Sequence, residues 1–382
     1  MIDKKKFPFV RDFVINPTTK GVLHLSSEIR GEESVKLEIQ VDVNAEFCKL
    51  IIELLDITKK EKEIPPQFIK YLNKAGLLIE VPEIPNDITF KCLLDLPDEE
   101  IIFPFEKSEY KINPKIFFQK SHAIPEIIKK NLTNVACLSK DYPVLWVEEP
   151  ITKVIYPYWL SEISYKILAK ILKSKNLNKI PDNVFNLLIQ TKIIIPNNPD
   201  DNLYFEKAKA EISEKGFTVL RNVFNPIQIQ SLKNYYKRLQ ENNCFIRSDA
   251  HVSQRDSIPN ESIARFFHYQ LGKIVNIILP QQVEPSYCYI SIYNEGSVLS
   301  RHKDREECEW NVSLLLDMIP ECEVENAWPF FIQSNNMKNE IRLGAGDAVI
   351  YRGSKVYHWR EKLPEKSRYT IFFFHFVNCP KD

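Results

Sequence analysis

A chain of 382 residues has room for two or three domains with cores of their own. Lys+Arg and Asp+Glu are equal at 51 each. The balance holds on both sides of residue 200, so neither half carries the basic excess of a nucleic-acid binder. Eight cysteines occur without a CxxC pair or regular spacing, and only nine glycines are present. The first fact argues against a zinc module or a disulfide scaffold and points to reduced thiols in a cytoplasmic protein. The second argues against glycine-rich phosphate loops. No apolar run reaches the roughly 18 residues that span a bilayer, so no membrane partner is expected.

In chain order, Met1 to Lys6 leads into no apolar stretch, and no secretory signal is expected. Phe9 to Ile15 and Val35 to Val41 read as strands, the second with apolar residues at alternate positions. A helix from Glu46, a polar turn, a second helix opened by Ile64-Pro65-Pro66 and the apolar triplet 77–79 follow. An offset of 116 residues maps Ile64 onto Ile180, Pro65 onto Pro181, Phe68 onto Val184, Leu72 onto Leu188 and the triplet onto 193–195. Two strands, Tyr142 to Val147 and Lys153 to Tyr156, precede the second unit as well. Proline opens the second helix of each unit, where its missing N–H costs nothing. The pattern reads as an internal duplication of a small winged-helix-like unit, over residues 1–95 and again over 96–201. Residues 100–135 belong to either unit.

A new domain is expected over 202–382. Leu203 to Lys215 reads as an amphipathic helix and Gly216 to Leu220 as a strand. Asn225-Pro226 starts a helix to about Glu241, and Ser262 to Ile278 reads as another. From Pro285 the chain is strand-rich, with candidates at 286–293, 310–318, 329–333, 341–343, 347–352, 356–362 and 368–377. So many short strands with turn signals between them imply a sandwich or barrel. The fold class is therefore α+β.

The chemistry concentrates near the C-terminus. His302-Lys303-Asp304 is followed 54 residues later by His358. Two histidines and a carboxylate in this order are the set that holds non-haem iron(II) on one face and leaves positions open. Residues two apart on a strand face the same side, so His302 and Asp304 can point into one barrel. Arg368 comes ten residues after His358, at the start of an apolar strand. Alternation puts Arg368, Thr370, Phe372 and Phe374 on one face of that strand, read here as the inward one. Tyr369, Ile371, Phe373 and His375 fall on the other, which makes His375 a barrel-surface residue. An inward arginine among phenylalanines needs an anionic partner. Tyr287, Tyr289, Ser291 and Tyr293 share a face on the strand before the first ligand, which brings Tyr289 and Tyr293 within reach of the same partner.

His302-x-Asp304, His358 and Arg368-Tyr369-Thr370 resemble the iron(II)/2-oxoglutarate dioxygenases over residues 205–382, nearest in spacing to prolyl-4-hydroxylase-like and phytanoyl-type members. The resemblance implies a double-stranded β-helix, a jelly-roll or cupin-like barrel with flanking helices. It implies iron(II) on His302, Asp304 and His358, with 2-oxoglutarate and dioxygen as cosubstrates. It also implies that Arg368, with Thr370, binds the distal carboxylate of 2-oxoglutarate; prolyl-hydroxylase relatives often carry lysine there. Tyr293 matches a cosubstrate-binding tyrosine of some members. Halogenating relatives have a small residue in the place of Asp304, so a carboxylate there favours hydroxylation or desaturation. The strand pairs and helix-turn-helix units of the N-terminal half resemble peptide-binding domains of the pyrroloquinoline-quinone chaperone type, which present a leader peptide to a modifying enzyme.

Three functions follow from these readings. The first is hydroxylation of an unactivated C–H bond in a peptide or protein side chain held by the N-terminal repeats. The second is hydroxylation of a free amino acid or small metabolite, with a structural or dimerising N-terminal half. The third is a non-catalytic barrel with a binding role. Substrate contacts are expected from Arg305 or Arg301, beside the first two ligands, and from Trp359, which lines the pocket or fills the barrel.

Overall fold

The structure, a computed structural model, describes the backbone of residues 14–17, 22–27 and 35–40, and then residues 84–85, 87–96, 107–121, 138–198, 201–248, 252, 254–304 and 308–379. The two helices expected between Glu46 and Leu72 in the first copy, and its apolar triplet 77–79, lie outside the described residues.

Strands β1 (Val14–Pro17), β2 (Val22–Ser27) and β3 (Val35–Gln40) form one antiparallel sheet. Strand β4 (Leu93–Leu94) joins β6 (Ile116–Gln119), β7 (Val144–Glu148) and β8 (Ile155–Leu160) in the order β4-β8-β7-β6. Strand β5 (Tyr110–Ile112) pairs with β9 (Ile194–Pro196). Between β8 and β9 lie helices α1 (Glu162–Ser174) and α2 (Asp182–Gln190). The helix, turn, helix and strand read for the second unit are thus all present. Ser161 caps α1 by accepting from Ser164 N, and Pro181 stands directly before α2.

The C-terminal half opens with helix α3 (Asp201–Lys215), strand β10 (Phe217–Leu220) and helix α4 (Pro226–Glu241). Asn225 and Gln228 form a reciprocal capping box at the start of α4, with Pro226 in its first turn. Strands β11 (Ile246–Ser248) and β12 (Arg255–Pro259) lead to helix α5 (Ser262–Ile278). Buried Glu261 caps α5 and also accepts from the hydroxyls of Tyr235 (2.8 Å) and Tyr236 (2.5 Å), which fastens α4 to α5. The remaining strands are β13 (Val283–Tyr293), β14 (Leu299–His302), β15 (Trp310–Ile319), β16 (Phe330–Ser334), β17 (Met337–Ile341), β18 (Ala348–Tyr351), β19 (Tyr357–Arg360) and β20 (Arg368–Asn378). The strand expected at 341–343 therefore lies earlier, at 337–341.

These strands divide between two antiparallel sheets, ordered β10-β18-β15-β20-β13-β12-β11 and β14-β19-β16-β17. One apolar core fills the space between them, with Tyr293, Leu315, Val349 and Phe373 from the larger sheet and Leu299, Phe330 and Ile332 from the smaller. A second core lies on the other face of the larger sheet. There Phe372, Phe374 and Phe376 pack against α4 and α5, and the same core runs without a break into β4, β7, β8, α1 and α2. Phe90 is a hub of it, with ring centroids 5.9 Å from Tyr235, 6.0 Å from Phe267 and 6.2 Å from Trp159. The side-chain amides of Asn225 and Gln228 both donate to Tyr158 Oη at 3.0 Å, so the cap of α4 is also a tie to the preceding segment. Among the described residues no helix is long and apolar enough to cross a membrane, and none of the described cysteines forms a disulfide.

Candidate metal centre

The two sheets bring the three sequence-predicted ligands together. His302, at the end of β14, and His358, in β19, are cross-strand partners, and their ring centroids are 4.3 Å apart. Asp304 lies just past β14, its N–H held by the Gly353 carbonyl at 3.0 Å. Its Oδ1 is 3.3 Å from His302 Nε2 and its Oδ2 3.3 Å from His358 Nε2. One ligand atom from each residue falls within 4.8 Å of the others, a grouping able to hold a metal ion. His358 is 2% exposed, whereas the side chains of His302 and Asp304 keep 37% and 16% of theirs. The cluster therefore has a closed inner side and an open outer one.

The second nitrogen of each ring explains the orientation. His302 Nδ1 meets Ser300 O at 2.7 Å, and His358 Nδ1 meets Val356 O at 3.2 Å. A carbonyl only accepts, so both Nδ1 atoms carry the proton and both Nε2 lone pairs face Asp304. Two lone pairs beside a carboxylate require a cation or protons between them. Burial favours the neutral form of Asp304, but the charges and hydrogen bonds of His358 and His302 outweigh it and hold the carboxyl well below its ordinary range. Burial likewise lowers the pKa of His302, but its hydrogen bond to Asp304 and the charge of that carboxylate leave it above the ordinary imidazole value.

A protonated His302 cannot ligate, and a raised pKa keeps it protonated to higher pH. Metal affinity is thus expected to be weakest in acid and to climb as pH rises through the His302 pKa, with release of a proton. Cobalt(II) titrations across roughly pH 5–8 check this, and an affinity independent of pH would refute it.

Gly353 has a steric reason. A Cβ there would collide with Asn311 Nδ2 and Asp304 Oδ2 and stand 3.0 Å from the Cys308 carbonyl oxygen. Gly353→Ala is expected to displace Asp304 and weaken metal binding by at least ~10-fold, the lower range for losing an outer partner of a ligand. Unchanged affinity in a folded variant would count against this placement.

No protein-family model matches the chain, and neither does any curated protein. Among solved structures it is similar to a Pseudomonas putida prolyl-4-hydroxylase, with 12% identity over 46% of this chain and 100% of that one and a TM-score of 0.38. It is also similar to SnoN, a non-haem α-ketoglutarate-dependent epimerase of nogalamycin biosynthesis, with 10% identity, coverages of 47% and 82% and a TM-score of 0.40. HygX from Streptomyces hygroscopicus, with nickel and 2-oxoglutarate bound, gives 13%, 47% and 87%, and 0.37.

The expected cosubstrate residues separate into two groups. Tyr289 and Tyr293 face the space between the sheets: Tyr289 stacks on Phe373 at 4.8 Å, and fully buried Tyr293 packs on Trp328 at 5.4 Å. Arg368 and Thr370 do not face that space, which corrects the inward reading. Arg368 reaches Gln240 of α4 at 3.4 Å, and its face-mate Phe372 packs on Tyr236 of the same helix. The alternation along β20 is as expected, but its inward face is the other one, with Tyr369, Ile371, Phe373 and His375. His375 is accordingly buried beside the His302–Asp304–His358 cluster and not on the barrel surface.

Arg301 and Trp359 also point away. Each neighbours a ligand in sequence, and adjacent strand residues take opposite faces. Trp359 stacks on Phe331 at 5.4 Å on the outside of the smaller sheet, and the Arg301 guanidinium lies 3.6 Å from the centre of the Tyr357 ring. Arg305 lies outside the described residues.

The structure adds an inward arginine that the sequence reading passed over. Arg360 follows His358 by two residues on β19, the spacing that also relates His302 to Asp304. It is 4% exposed. Its Nη1 donates to Trp328 O at 2.9 Å, and its guanidinium lies 4.6 Å from the Trp328 ring and 5.0 Å from the Phe330 ring. No carboxylate among the described residues pairs with it. Burial pulls its pKa down to about 10, so it is still a cation at neutral pH. Arg255 of β12 is a second buried cation on this side, donating to Tyr293 Oη at 3.0 Å.

Proposed function

We propose that the protein is an iron(II)- and 2-oxoglutarate-dependent oxygenase built on a double-stranded β-helix, and that it attacks an unactivated C–H bond. The observation that carries this reading is the pairing, inside one sandwich, of the His302–Asp304–His358 cluster with the buried charge of Arg360, which no carboxylate among the described residues matches. A guanidinium closed off from water needs an anion, and the distal carboxylate of a 2-oxo diacid supplies one.

His302, Asp304 and His358 would hold iron(II), which when bound supplies the activation of dioxygen that no side chain can provide. The two backbone carbonyls behind His302 and His358 keep the imidazoles in the ligating tautomer. Arg360 binds and orients the distal carboxylate, with Tyr289 and Tyr293 on the wall of the same space. Phe330, Ile332, Tyr351 and Phe373 exclude water from it. The open side of the cluster, toward His302, is where substrate meets the site.

Succinate formed from 2-oxoglutarate with iron present, and increased by substrate, tests the reading. Peptides screened against free amino acids and other small metabolites then distinguish the two substrate classes expected from the sequence. A protein that binds iron stoichiometrically yet forms no succinate with any of them, nor slowly without substrate, would contradict it.

A further inference from the structure

Asp304 lies beyond the end of its strand, so its carboxylate depends on neighbouring side chains for its direction. Asn311 Nδ2 donates to Asp304 Oδ2, and Asn311 Oδ1 in turn meets His375 Nδ1. Asn311 and His375 are directly opposed on β15 and β20. Both are buried, at 1% and 3% exposure. The His375 ring packs 4.5 Å from Tyr287 and 5.5 Å from Tyr289.

The order of donors and acceptors follows from one end. An ionised carboxylate only accepts, so the amide turns its NH2 toward Asp304 and its carbonyl toward His375, and His375 must then carry its proton on Nδ1. A flipped amide would set oxygen against carboxylate. Apolar side chains would fill this interior at less cost than a polar line, and Gly353 keeps the space beside it clear.

We propose that Asn311 and His375 are positioning residues: a two-step hydrogen-bond relay in which His375 fixes the Asn311 amide and Asn311 fixes the Asp304 carboxylate, thereby setting the metal affinity of the site. This rests on the reading of His302, Asp304 and His358 as metal ligands.

The test is cobalt(II) titration of the full-length protein, read by affinity and by the visible absorption of the bound ion, with melting temperature as the control for folding. Asn311→Ala and His375→Phe should each weaken binding by about 10- to 100-fold and alter the spectrum. The double variant should bind no more weakly than Asn311→Ala alone, because both act through one contact. His375→Gln, whose amide N–H can donate to Asn311, should recover much of the loss. Native affinity and spectrum in His375→Phe, or a double variant whose loss is the product of the two single losses, would overturn the relay. Should His375→Phe not fold, native affinity in Asn311→Ala or Asn311→Ser overturns it equally. A native protein that takes up no cobalt(II) fails differently, and overturns the metal reading together with the relay.

Discussion

His302→Ala and Asp304→Ala are each expected to reduce bound iron from stoichiometric to a trace and to abolish turnover while the fold persists. Three candidate ligand atoms from three residues converge at the site, and losing one would leave two donors with no geometric preference for the ion. The loss should exceed the 10- to 100-fold typical of an outer partner. The fold should persist because His302 is partly exposed and Asp304 lies outside the strands, so neither fills a core. Iron content by metal analysis and secondary structure by circular dichroism check both halves of the expectation. A His302→Ala/Asp304→Ala double variant that kept stoichiometric iron would remove the ligand assignment.

Arg360→Met is expected to raise the Kd for 2-oxoglutarate by about 2–5 kcal/mol, the cost of truncating one partner of a buried charge pair. That corresponds to roughly 30-fold to several-thousand-fold. The same substitution should leave the melting temperature unchanged or higher, because it replaces a buried guanidinium that no carboxylate among the described residues pairs with by an apolar chain of similar length. Loss of ligand affinity without loss of stability separates a binding group from a structural one. Arg368→Ala makes the contrast. The spacing to His358 makes Arg368 the anchor, whereas the structure puts it against Gln240 of α4, so its removal should change the 2-oxoglutarate Kd little. Calorimetric titration of both variants decides between them. An Arg368→Ala protein that loses 2-oxoglutarate while Arg360→Met retains it would restore the reading from spacing.

The three candidate ligands, which the structure brings together, were legible because their chemistry is local. His302-x-Asp304 states its own spacing, and His358 sits in a short strand-like run. The helices were legible through their ends: Asn225-Pro226 opens α4, and α5 spans Ser262–Ile278 as its pattern predicts. What the sequence could not assign was the direction of β20. That strand is central in the larger sheet and buried on both faces, and a strand of this kind reads as a nearly continuous apolar run. Alternation divided its residues correctly into two sets, but only the packing of Phe372 on α4 and of Phe373 on Tyr289 tells which set faces inward. Arg360 had a signal that could have found it. Counting two from His358, as Asp304 counts two from His302, places it on the ligand face. Strand β12 was missed because Arg255-Asp256-Ser257-Ile258-Pro259 alternates poorly. Its strand character comes from pairing with β13 and β11, which is tertiary context and not propensity.

Oxygenase function is tested by 2-oxoglutarate binding measured without oxygen, with and without iron(II), followed by admission of oxygen. The expected result is binding that depends on the metal, requires both Asp304 and Arg360, and leads to release of CO2 and succinate once oxygen enters. Binding of equal strength in the presence of a chelator and in Asp304→Ala, with no succinate after oxygenation, would contradict it.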